Sequence, residues 1–103
     1  MDRLSQLKQQ YLDLTSKVLP KLAKSRKFPV RQNHCFQRIV LDNLFGRCWY
    51  EALERGRIPA YQQLTEEQLE RAIALAHAII NQPDSYLWQL NQNSLKWRGK
   101  SSP

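Results

Sequence analysis

His34, Arg38 and Asp42 stand four residues apart in the run NHCFQRIVLDN. On a helix this spacing lays an imidazole, a guanidinium and a carboxylate along one stripe. Facing a ligand, Arg38 and His34 would bind an anion and Asp42 would orient them. Facing a neighbouring helix, Arg38 and Asp42 would pair with each other and join two elements. The spacing fits both readings.

The other reactive side chains are less coherent. Cys35 would lie in the first turn of the same helix, where the dipole lowers a thiol pKa. Its neighbour His34 points about 100° away on a helix, so a base would have to be His77 from another element. His34, Cys35, Cys48 and His77 lack the short paired spacings that aim zinc ligands at one centre. Gly46, Gly56 and Gly99 are isolated, so no phosphate-cradling loop can be drawn. No catalytic residue, metal or cofactor is assigned, and the expected role is binding.

Charge gives the main functional signal. The chain has 103 residues and a formal charge of +7, and the excess is segregated. Residues 17–31 hold Lys17, Lys21, Lys24, Arg26, Lys27 and Arg31 with no acid. Residues 32–95 carry more acids than bases, and the tail adds Lys96, Arg98 and Lys100. A mildly acidic body with two basic appendages concentrates attraction for a polyanion. Lys21, Lys24, Arg26, Lys27 and Arg31 are therefore expected to contact successive phosphates of a nucleic acid or another polyanion. In the tail, Trp97 among Lys96, Arg98 and Lys100 suits stacking on an unpaired base.

The elements that must position these groups read as helices. An apolar fraction of 42% with 24% charged residues suits one globular domain. Leu4, Leu7, Tyr11, Leu14 and Val18 recur at helical spacing, and Pro20 is expected to end or kink that helix. A basic linker spans 20–32. A central helix is expected from Asn33 to Arg55, with Gly46 permitting a close crossing and Gly56 ending it in the left-handed region. Within it Cys35 and Cys48 lie too far apart to bridge, so both are expected as free thiols. Thr65 and Gln68 have capping-box spacing, opening a helix that ends near Asn81 and Pro83. Asp84 is expected to cap a fourth helix from Ser85 to about Leu95, burying Leu90 with Tyr86 or Leu87, and with Trp88 as a further candidate. Residues 96–103 read as a frayed basic tail. The expected fold is all-α, a single domain of about four helices around a central one.

The seam of Leu4, Leu7, Tyr11 and Leu14 offers an alternative function, a protein-assembly or adaptor module that pairs with a protein partner or a second copy. No apolar run is long enough to span a membrane and no signal peptide is visible, so a cytoplasmic protein is expected.

The runs PVRQNHCFQRIVLDNLFGRCWY, PAYQQLTEEQLERAIALA and LKWRG, lying within residues 29–99, resemble short bacterial proteins, some of them labelled GNAT-type acetyltransferases. That resemblance implies a mixed α/β fold with a glycine-containing pyrophosphate loop, and a small acyltransferase-like enzyme or enzyme subunit. Neither strands nor loop are visible in the sequence, so no catalytic or coenzyme residue is carried over.

Overall fold

The first helix starts where Asp2 accepts a 2.7 Å hydrogen bond from the Ser5 amide, satisfying one of the free donors of the opening turn. The computed structural model describes residues 2–100. From this cap α1 runs over Arg3–Asp13, followed by a π turn, Leu14–Val18, and a short α2, Leu19–Leu22. The helical path thus continues through Pro20 instead of ending there. The wider π turn accommodates a proline that has no amide to donate and whose ring crowds the preceding turn. It also resets the apolar phase: Leu7, Tyr11 and Leu14 are buried, but next comes Leu19, while Val18 is exposed.

After Leu22 the chain turns under Arg26 and buries Phe28, whose ring meets Phe36 edge-on with centroids 5.9 Å apart. Helix α3, Asn33–Phe45, begins with Asn33 Oδ1 accepting from the His34 amide. Phe36, Ile39 and Val40 are fully buried. Each such side chain contributes about 1.5–3 kcal/mol relative to exposure.

The central helix ends at Phe45, ten residues before the Arg55 expected from the sequence. Gly46, at φ +68°, takes the left-handed position, and its amide and that of Arg47 both bond the Asp42 carbonyl. The apolar residues that follow do not prolong the helix. They lie in a connection with two 3₁₀ turns, Trp49–Glu51 and Ala60–Gln63. Cys48 belongs to this connection, and both cysteines are free thiols.

Helix α4, Glu66–Asn81, opens with the full capping box. The Thr65 hydroxyl accepts from the Gln68 amide at 3.1 Å, and the Gln68 side chain accepts from the Thr65 amide at 2.9 Å. Helix α5, Asp84–Trp97, follows after Pro83. Asp84 does not cap it, because its carboxylate is taken by Arg26 and the Lys27 amide. Leu87 and Leu90 are buried, whereas Trp88 is exposed and its indole donates to the Lys27 carbonyl.

The architecture is all-α. Helix α3 packs against α4, α5, α2 and the π turn, while α1 lies along α4. Among the described residues there is no strand, and no helix is long and apolar enough to cross a membrane.

Candidate anion-binding sites

The stripe of His34, Arg38 and Asp42 is divided by the fold between two tasks. Asp42 points into the protein and is fully buried. Its carboxylate accepts from the Trp49 amide at 2.9 Å, from Ser94 Oγ at 2.6 Å, and from Arg98 through Nε at 2.7 Å and Nη2 at 3.1 Å. One carboxylate therefore joins α3, the chain just past Gly46 and the end of α5. Its hydrogen bond holds the Arg98 proton more tightly than in a free guanidinium. Arg98 is no frayed tail residue, for α5 remains helical to Trp97 and carries it inward.

Arg38 has neutral hydrogen-bond partners. It donates from Nη1 to Ser94 Oγ at 2.7 Å and from Nη2 to Asn91 Oδ1 at 2.9 Å. Ser94 then passes its own proton donation to Asp42. Burial is the largest influence on Arg38 and weakens its hold on its proton, although a guanidinium stays charged in proteins. With Asp42 matched to Arg98, the cluster retains the Arg38 charge.

Arg38 and the exposed His34 line a cavity of about 370 Å³, together with Tyr11, Gln37, Trp49 and Tyr61. The first two come from the expected stripe, but Asp42 is not in the wall. The Tyr11 and Tyr61 rings stack at 6.4 Å, and Trp49 meets Tyr50 edge-on at 4.6 Å. Tyr50 also lies beneath the guanidiniums of Arg55 and Arg98, at 3.9 and 4.6 Å from the ring centre. Tyr11 is 1% exposed and its hydroxyl has no protein partner. Sequence reasoning placed Tyr11 in an apolar seam and gave Trp49 and Tyr61 no binding role. The available signal was the aromatic pair after Gly46 and the PAY run.

The basic residues are also sorted. Arg26 is bound inside the protein, donating to Asp84 at 2.6 Å, the Ile80 carbonyl at 2.8 Å and the Gln82 carbonyl at 2.7 Å. These bonds tie the segment after α2 to the corner between α4 and α5. Lys27 is anchored there by its backbone, with its side chain outside. Lys21, Lys24 and Arg31, joined by Lys17, line a separate groove of about 600 Å³ with Ser16, Pro20 and Ala23. Among the described residues, the carboxylate ion-paired to a cation of this groove is Asp13, 3.6 Å from Lys17. Lys96 and the partly exposed Trp97 lie outside it, while Lys100 borders a third depression beside Cys48, Tyr50, Arg55 and Arg98.

Leu7, Tyr11 and Leu14 of the expected assembly seam are buried in the chain's own core, and Leu4 remains partly exposed. Comparisons with known protein families, with curated proteins and with solved structures found no match.

Proposed function

We propose that the protein binds a nucleic-acid backbone along the groove lined by Lys17, Lys21, Lys24 and Arg31. One observation carries this reading: with Arg26 bound inside, these four cations, of which only Lys17 has a carboxylate nearby among the described residues, share a concave surface at the most basic part of the chain. Exposed ammonium groups exchange water and counterions for phosphates at little structural cost, and release of the polymer's counterions drives binding. Arg26, whose guanidinium is already bonded, serves to hold the segment in place. The two free thiols fit a cytoplasmic setting for such a partner.

Fluorescence anisotropy with labelled single-stranded and duplex oligonucleotides across a salt series tests the proposal. The triple variant Lys21→Gln, Lys24→Gln, Arg31→Gln should bind weakly, with the log–log salt slope reduced by about 2–3. The variant Lys96→Gln, Lys100→Gln should keep most of the affinity. Unchanged binding and slope in the triple variant would refute the reading. Equal affinity for polyglutamate would widen the partner to polyanions in general.

A further inference from the structure

The cavity behind Arg38 is a different kind of site from the groove. The groove offers several exposed cations to a polymer, whereas the cavity offers Arg38 among aromatic walls, beside an Arg98 already paired with Asp42. We propose that it binds a small aromatic carboxylate, with the acid group on Arg38 and the ring among Trp49, Tyr50 and Tyr61.

Charge selects a monoanion. Asp42 and Arg98 form a bidentate pair that neutralises both groups. Arg38 is left over. It is not idle in the packing, because Ser94 and Asn91 hold its guanidinium from α5. Both are neutral, so they fix its direction without cancelling its charge. A carboxylate at the cavity end would meet the remaining N–H donors of a positioned planar fork, the geometry that favours arginine over lysine.

Shape and lining select the body of the ligand. About 370 Å³ is near the small end of ligand clefts, which run roughly 300–1,000 Å³. Leu12, Leu41, Pro59 and Ala60 add apolar wall to the tyrosines and Trp49. Such a lining rewards a flat unsaturated ring more than a hydrated phosphate or sugar.

Tyr11 contributes wall and not a polar contact. Its ring stacks on Tyr61, but its hydroxyl is sealed off and bonds no protein group, so a ligand atom cannot approach it to hydrogen-bond distance. The orienting polar contact is the Arg38 guanidinium.

The geometry around the cavity suits capture. One wall is helical, from α1 and α3, and the other is the 46–64 connection. The rigid wall carries the polar groups that set orientation. The connection carries the aromatic surface.

Amide-resolved NMR titration of the intact protein with benzoate, benzamide and acetate at millimolar concentrations tests the proposal. Benzoate should shift the Trp49 indole and amides of α3 near Arg38 at lower concentration than benzamide or acetate. Arg38→Gln should weaken benzoate by about tenfold or more and bring it level with benzamide. The wild-type panel decides the matter even if Arg38→Gln does not fold. Absence of benzoate binding, equal binding of benzoate and benzamide or of benzoate and acetate, or shifts confined to Lys21 and Lys24 would overturn it.

Discussion

Replacing Asp42 with asparagine tests the buried network with minimal change of shape. The amide can still accept from the Trp49 amide through its oxygen. Its nitrogen, however, faces Ser94 Oγ and Arg98 Nε, which now donate to the carboxylate at 2.6 and 2.7 Å. The Ser94 hydroxyl can turn and accept from that nitrogen, but Arg98 Nε can only donate and is left facing a donor. Arg98, with its side chain only 13% exposed, loses its counterion. Stranding one member of a buried pair costs about 3–5 kcal/mol. That is a large share of the roughly 5–15 kcal/mol that holds a domain folded. For a chain of this size the melting midpoint should drop on the order of 10–40 °C, read by circular dichroism.

Arg98→Met should be comparably destabilising because it leaves the Asp42 carboxylate buried without its cation. The double variant Asp42→Asn, Arg98→Met removes both charges and should be less destabilised than the sum of the singles, by about 0.5–3 kcal/mol. A midpoint for Asp42→Asn within two or so degrees of the parent would refute the reasoning. Strict additivity in the double variant would do the same.

Tyr11→Phe removes a buried hydroxyl without a protein partner, so the free protein should be unchanged or stabilised by up to about 1–3 kcal/mol in urea denaturation. A clear loss of stability would show that the hydroxyl supports the fold. For Asp84, the hydrogen bond from Arg26 is the largest influence and the Lys27 amide adds to it, holding the carboxyl below its ordinary 3.8. The unfolded chain therefore takes up that proton first as pH falls, and the stability contributed above 3.8 is lost on passing down through the lower folded value. Asp84→Asn should flatten this acid limb in melts recorded across pH, and an unaltered limb would count against the Arg26 clamp.

Some parts of the structure were written plainly in local sequence. Thr65 and Gln68 specify the start of α4 because both halves of the capping box lie within one turn. The all-α class follows from helical apolar spacing in α1, α3 and α4. Other parts depend on partners far along the chain. Gly46 reads as a crossing point within a helix that Gly56 ends, because the apolar period continues past Gly46. What accompanies the end at Phe45 is the bond from the Trp49 amide to Asp42, whose other partners are Ser94 and Arg98. Likewise, Arg26 looked like one cation in a basic run until Asp84, 58 residues away, met it. Charge runs show where cations are abundant, but not which are already neutralised. Tyr11 has seam spacing, and only tertiary packing reveals that its ring stacks while its hydroxyl lacks a partner.

The π turn in Leu14–Val18 acts as a phase adjuster for everything after it. One added residue rotates the following side chains by about 100° relative to an uninterrupted α-helix. This is how Leu19, in place of Val18, reaches the interior. Lys17, Lys21 and Lys24 follow at the i, i+4 and i+7 spacing of one α-helical face, so they carry their shared groove with them through whatever rotation the turn imposes. Deleting the exposed Ser16 would set Leu19 four residues after Leu14, so ordinary α winding would keep both inside and leave the three lysines on one face.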